Sequence, residues 1–265
     1  MLNQEQLYKG ILQNASYMNN PFALSGKTIL VTGASSGIGK QIAIRCSEMG
    51  ARIVATGRNE ERLSATLSQL NDCQSHQIIS WDLSNIDTIK DFVAQLPELD
   101  GIVMDAAIFD TTVARHLKLD KMRLMFNTNT FANIALIQAL LKYKKLKAGS
   151  SVVFISSVAS TRPYKGNALY SATKGAINSF SKVLAVELGV QKIRVNCIHP
   201  GIVRTNANPQ DWAVTKEELS AEEARYPLGF GNPDDIAYAA VYLLSDVAKW
   251  ITGSDMIVDG GQSIV

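Results

Sequence analysis

Residues 28–49 read TILVTGASSGIGKQIAIRCSEM, and the succession of residue types in that stretch decides the fold. Thr28 to Thr32 is an apolar run too short for a helix, residues 33–39 are rich in glycine, and residues 38–49 place Ile42, Ala43 and Cys46 on one helical face. A strand that hands over to a helix through glycines is the opening of a βαβ unit. The alternation continues down the chain. Strands are expected at 52–56, 76–81, 101–104, at Val152 and its neighbours, and at 193–198. Helices are expected at 59–70 with Leu63, Leu67 and Leu70 inward, at 86–96, from about 119 to 146, and after Tyr170. Continuous apolar strands separated by helices imply a parallel sheet covered on both faces, a doubly wound α/β fold.

The chain has 265 residues, 46% of them apolar, and a formal net charge of +2. That length and apolar content suit one α/β domain better than two. Lysine and arginine are scattered, apart from Lys142, Lys144, Lys145 and Lys147 near an expected helix end, where cations complement the dipole. Such a distribution offers no nucleic-acid footprint. The three cysteines, Cys46, Cys73 and Cys197, are far apart and lack metal-ligand spacing, so reduced thiols in the cytoplasm and no metal site are expected. The opening MLNQEQLYKG has no basic region followed by an apolar one, and no run approaches the ~20 apolar residues of a membrane span. Residues 1–26 form an N-terminal extension before a domain at 27–265. Leu7, Tyr8, Ile11 and Leu12 suggest a short amphipathic helix there, with a frayed tail as the alternative.

The glycine turn is the first chemical feature. Thr32 to Gly39 follows a strand and opens a helix, so its N–H groups converge on a point suited to a pyrophosphate. The candidate contacts are Gly33, Ser35, Ser36, Gly37, Ile38 and Gly39. Where a dinucleotide enzyme choosing NAD places a carboxylate, at the end of the second strand, this chain reads Ala55-Thr56-Gly57-Arg58. Arg58 fits the 2′-phosphate of NADP(H) and makes NAD(H) the less favoured cofactor; a turn-capping role, or stacking on the adenine, are its alternatives. Asp82 after the third strand could meet an adenine amino group or cap the next helix.

The second feature lies in residues 151–174, SVVFISSVASTRPYKGNALYSATK. A buried strand delivers Ser157 to the sheet's C-terminal edge. Tyr170 and Lys174, four apart, share a helical face, so an ammonium beside a phenol should lower the phenol's pKa from about 10 and make Tyr170 a general acid or base. A solvated surface pair and turn-forming serines are the plain alternative.

Together these residues resemble the single-domain branch of the short-chain dehydrogenase/reductase family, over Lys27 to Ser263. The TGxxxGxG turn is matched by Thr32, Gly33, Gly37 and Gly39. The resemblance implies a Rossmann fold and catalytic Asn129, Ser157, Tyr170 and Lys174. It also implies cofactor contacts at Leu83, Ala106, Tyr170, Lys174, Pro200, Gly201, Val203 and Thr205. Asn129 would interrupt its helix and hold a water leading to Lys174. Two departures stand out: Met104-Asp105-Ala106-Ala107 replaces the family's Asn-Asn-Ala-Gly, and Phe230 stands where Arg is common. The latter reads as tuning of the subunit surface or lid.

The implied activity is NADP(H)-dependent interconversion of a ketone and a secondary alcohol. A non-catalytic NADP(H)-binding regulator or scaffold of the same fold is the alternative reading. Residues 205–229 break the strand–helix alternation and read as a lid over a small-molecule pocket. A β-ketoacyl thioester, a sugar-linked ketone, a steroid or a small ketone could be its substrate. Apolar residues on several faces of the helices at 119–146 and 170–190, among them Phe131, Ile134, Ile137, Leu140, Phe180, Val183 and Leu184, suggest a homotetramer.

Overall fold

The structure, a computed structural model, describes residues 20–72, 74–162, 164–205 and 215–265. The helix expected within 1–19, Cys73, and the part of the expected lid at 206–214 lie outside them. Seven parallel strands form one sheet: β1 (Thr28–Thr32), β2 (Arg52–Gly57), β3 (Gln77–Ser80), β4 (Leu99–Met104), β5 (Leu146–Ile155), β6 (Arg194–Pro200) and β7 (Asp255–Val258). Their order is β3-β2-β1-β4-β5-β6-β7. The direction of winding reverses between β1 and β4, and open α/β sheets bind ligands in the crevice at that reversal.

The helices are α1 (Gly37–Glu48), α2 (Glu60–Leu67), α3 (Ile89–Ala94), α4 (Leu119–Phe126), α5 (Ala132–Lys142), α6 (Ala168–Leu188), α7 (Lys216–Glu223) and α8 (Pro233–Leu244). Alternate residues of the central strands feed two cores. Ile29, Val31, Val153 and Ile155 pack with α1 and α8 on one face. Leu30, Val152 and Phe154 pack with α3, α5 and α6 on the other. The chain's approach to the domain is fixed too: Leu24 is fully buried, and its N–H donates to the Met49 carbonyl at 2.7 Å. Asn232 starts α8, with Pro233 at the first helical position and the Asp235 carboxylate accepting the Asn232 N–H at 2.7 Å.

The long helix expected over 119–146 is three pieces and ends earlier. A π-helical stretch, Asn127–Phe131, joins α4 to α5, and α5 stops at Lys142. Lys144 then takes a left-handed φ of 53°, which turns the chain so that β5 begins at Leu146, six residues before the strand the sequence suggested. The stretch Leu119–Lys142 is long enough and on average apolar enough to cross a membrane, although Asn127, Thr128, Asn129 and Thr130 interrupt its apolar residues. Here 56% of that apolar window is buried inside the domain, the mark of a core helix. The expected surplus of apolar faces is narrower as well. Ile137, Leu140 and Leu184 are buried within the chain, whereas Leu119, Leu124, Phe131, Val183, Val186 and Val190 are exposed.

Candidate active site

The site begins where β1 runs into its glycines. Gly33 has φ +72°, and a Cβ there would lie 3.0 Å from the Ala106 nitrogen. A Cβ on Gly39 would lie 2.6 Å from the Gly33 carbonyl oxygen, a distance no side chain tolerates. Glycine at both positions therefore lets the turn fold against the end of β4. Ser36 precedes α1 in an extended conformation and makes no side-chain cap bond, and the first turn of α1 carries no acidic residue. By contrast α2 opens with Glu60 and Glu61 and is capped by Asn59. The N-terminus of α1 is thus left with its positive end toward the crevice, which suits an anionic diphosphate. Ser35, Ser36, Gly37 and Ile38 line this turn and are half-buried.

Arg58 stands exposed just beyond β2. Asp82 spends its carboxylate on its own chain, accepting from the Ser84 N–H at 2.9 Å and the Ser84 hydroxyl at 2.8 Å. It thus closes a turn and does not cap the following helical turn, which starts at Ile86 after Asn85, and Leu83 is buried beside it. Ala106 donates its N–H to Thr32 Oγ1 at 3.2 Å, which draws the end of β4 under the turn. Pro200, Gly201, Val203 and Thr205 leave β6 along the same edge; Val203 bridges to Gly231, which anchors the segment before α8.

Two residues beyond β5, the Ser157 side chain accepts from the Ala159 N–H at 3.1 Å and starts a short turn. Its hydroxyl also hydrogen-bonds the phenol of Tyr170, which lies in the first turn of α6. Phe109 meets the Tyr170 ring edge-on, with centroids 4.9 Å apart. One turn further along α6, Lys174 is 5% exposed and donates to the Ile155 carbonyl at 2.7 Å. Its ammonium sits 5.7 Å from the centre of the Tyr170 ring. Serine, tyrosine and lysine are brought together as the sequence suggested.

The electrostatics differ from that expectation. The Tyr170 phenol is pushed up to about 12, first by burial and then by the Asp105 carboxylate, against the pull of Ser157. Lys174 does not offset this, because burial lowers its own pKa to about 8 and its ammonium is turned to a carbonyl. Asp105 is raised to about 6 by burial, opposed by Lys174 and by the Gly39 N–H that it accepts. A carboxylate, a lysine and a phenol thus share one poorly solvated pocket, an arrangement typical of proton-transfer sites.

Asn129 lies in the π-helical stretch and is buried. Its Oδ1 accepts from the Ile108 N–H at 2.8 Å. Its Nδ2 donates to the Ile108 carbonyl at 2.8 Å and to Thr173 Oγ1 at 3.2 Å. Asn133 Nδ2 donates to the Asn129 carbonyl at 2.8 Å. The local interruption of the helix is as expected. Asn129 clamps the loop after β4 onto α6.

Several supporting groups escaped sequence reasoning because their partners are distant in the chain. The Ser156 hydroxyl donates to Asn178 Oδ1 at 2.6 Å, and Asn178 Nδ2 donates to the Ser160 hydroxyl at 2.8 Å. Cys197, His199 and Asp255 bring a thiol, an imidazole and a carboxylate within 4.8 Å of one another. Protein partners already hold these groups: Lys182 pairs with Asp255 at 2.6 Å, His199 with Asp255 and the Ser157 carbonyl at 3.2 Å each, and Cys197 with the Ser181 hydroxyl at 3.1 Å. Together they buttress the turn that carries Ser157. Beyond the crevice, α7 and the following segment form part of the expected lid. Phe230, the departure from the common Arg, is buried, edge-on to Tyr226 and beneath the Arg204 guanidinium.

Comparison with known proteins gives a consistent result. Residues 33–263 match a family model described as Enoyl-(Acyl carrier protein) reductase. The chain is 32% identical over 243 residues to a 3-oxoacyl-acyl-carrier-protein reductase of Rickettsia bellii, covering 91% of this chain and 99% of that protein. It is 34% identical over 249 residues to a D-threitol dehydrogenase of Mycolicibacterium smegmatis, covering 92% and 95%. A crystal structure from Beutenbergia cavernae, assigned as an NAD(P)-dependent gluconate 5-dehydrogenase and holding NADP at low occupancy, superposes with a TM-score of 0.82 at 29% identity, covering 93% of this chain and all of that one.

The clamp at Asn129 makes a measurable demand on stability. Asn129→Ala leaves the Ile108 N–H and carbonyl without those partners, and the variant should unfold about 1–3 kcal/mol more easily in urea. An unchanged midpoint would show that the loop after β4 is held by something else.

Proposed function

The chain belongs to the short-chain dehydrogenase/reductase family, an NAD(P)-dependent dehydrogenase/reductase acting on CH–OH and C=O groups, and on that premise we propose that it is an NADP(H)-dependent carbonyl reductase using Tyr170 as proton donor. The observation that carries this reading is the meeting of Ser157, Tyr170 and Lys174 at the same sheet edge as the glycine turn. The close-packed turn at Gly33 and Gly39 and the uncapped start of α1 fit a dinucleotide's diphosphate. Arg58, with no acidic side chain at Thr56-Gly57, fits a 2′-phosphate as a planar, permanently charged donor. The bound dinucleotide would supply or accept the hydride.

The chain's own residues handle the oxygen and the proton. Ser157 donates to the substrate's carbonyl oxygen and fixes it against the phenol. Tyr170 gives the phenolic proton to that same oxygen as the carbon is reduced, and takes it back in the reverse direction. A phenol that keeps its proton up to about pH 12 is loaded for donation at neutral pH. Lys174, lowered to about 8, can return a proton to the pocket near neutral pH. Asn129 keeps these groups in register through Thr173, the residue before Lys174. The relatives named for 3-oxoacyl and threitol substrates share one functional group, a secondary alcohol or its ketone, and we take that group as the substrate class here. The buried thiols Cys46 and Cys197 suit a reducing compartment such as the cytoplasm.

We further propose a homotetramer, built on the exposed apolar residues of α4, of α6 and of the turn that follows it, including Leu124, Val183, Val186 and Val190. Light scattering at micromolar concentration should give four times the chain mass of 28.8 kDa, and a monomer would refute the assembly.

Replacing Tyr170 with Phe should lower turnover by about 10²- to 10⁴-fold and leave NADPH affinity nearly unchanged. Comparable turnover in the variant would remove the phenol from the mechanism. Arg58→Ala should weaken NADPH by roughly tenfold, up to a hundredfold, with little effect on NADH, exposure favouring the lower value. Equal losses for the two cofactors, or none, would show that Arg58 does not meet the 2′-phosphate.

A further inference from the structure

The glycine turn already faces an anion belonging to the protein. Asp105 follows β4 where the family carries Asn, and its Oδ2 lies 3.1 Å and 2.7 Å from the points where Gly33 and Gly39 would bear a Cβ. It accepts the Gly39 N–H, in the first turn of α1, and so takes one of the donors at the helix end that fits a diphosphate. Its own N–H donates to Thr32 Oγ1 at 3.1 Å, which fixes the backbone that aims it. Lys174 and Tyr170, both on α6, are the titratable groups whose fields it shares, and the turn after β1 and the start of α1 face it with backbone. The residue is enclosed but not wholly shut off from solvent, and burial raises its carboxyl to about 6.

We propose that Asp105 couples dinucleotide binding to protonation: the cofactor settles fully in the glycine turn when Asp105 is neutral, so that binding near neutral pH takes up a proton. This rests on the dinucleotide occupying the turn as argued above. A diphosphate brings negative charge to the helix end that the carboxylate already contacts, and a ligand in the crevice closes the carboxylate's remaining route to solvent. Both effects disfavour the ionised form, and Lys174 offsets them in part. The bound-state pKa of Asp105 therefore lies above the free value of about 6. Below the free value Asp105 is protonated in both states and contributes no pH dependence. Between the two values affinity falls as pH rises, by at most about tenfold per pH unit where a whole proton is taken up.

Titration calorimetry of NADPH into the wild-type protein at pH 7, in phosphate and in Tris, reads the proton count from the difference in heat. Asp105→Asn keeps the shape without the charge, and the 2′-phosphate's own titration is common to both proteins and cancels in the comparison. Wild type should take up about half to one proton more than the variant, and its Kd should weaken about tenfold more between pH 6 and pH 8. Carbon-13 NMR of the Asp105 carboxyl in wild type needs no variant: it should titrate near 6 alone and higher with NADPH present. Equal proton uptake in the two proteins, or a carboxyl titration that NADPH leaves in place, would overturn the proposal while NADPH binding itself stands. A wild type that does not bind NADPH would overturn the proposal together with the cofactor reading.

Discussion

No side chain fits where the Gly33–Gly39 turn presses against the end of β4, and the rest of the site follows from that contact. Because the turn can close, the start of α1 points into the crevice where the sheet's winding reverses. The same contact places Asp105 and Ala106 beneath the turn, tied by their N–H groups to Thr32. The loop that continues from there is clamped by Asn129, whose other bond reaches Thr173 on α6. One chain of contacts thus connects the glycine turn to the helix that carries Tyr170 and Lys174.

Burial then supplies the chemistry. A phenol, an ammonium and a carboxylate in water would titrate near their ordinary values; enclosed together, they are displaced toward neutrality, Tyr170 and Asp105 upward and Lys174 downward. The pocket therefore tolerates few charges at once, and a proton arriving at one group changes the ease of ionising the next. His199, Asn178 and Ser160 hold the Ser157 turn rigid through hydrogen bonds that do not touch the reacting position. Those bonds fix where the Ser157 hydroxyl stands beside the Tyr170 phenol.

The fold was readable because buried parallel strands write themselves as short apolar runs, and the glycine turn and the Ser157–Tyr170–Lys174 spacing are local signals. The reading failed where local pattern ran on past a backbone event. Leu140, Leu141 and Leu146 continue a helical rhythm, yet the left-handed turn at Lys144 ends the helix, and the polar start of β5, Lys147 to Ser150, gave no strand signal. The phenol's pKa was misjudged for a different reason. Spacing on a helix shows that Lys174 is near Tyr170, but not that its ammonium is drawn to the Ile155 carbonyl or that Asp105, 65 positions earlier, supplies the opposing field. Phe230 likewise became interpretable only with Tyr226 and Arg204 around it.

The central claim is that this crevice moves hydride from a bound dinucleotide to a carbonyl carbon while the protein supplies the proton. Mass spectrometry after incubating the protein with NADPH deuterated at the transferable position, against a panel of 3-oxoacyl thioesters, ketoses and small ketones, tests it most directly. The account predicts one deuterium on the carbinol carbon of at least one product. NADPH that binds but delivers no deuterium to any member of the panel would contradict it.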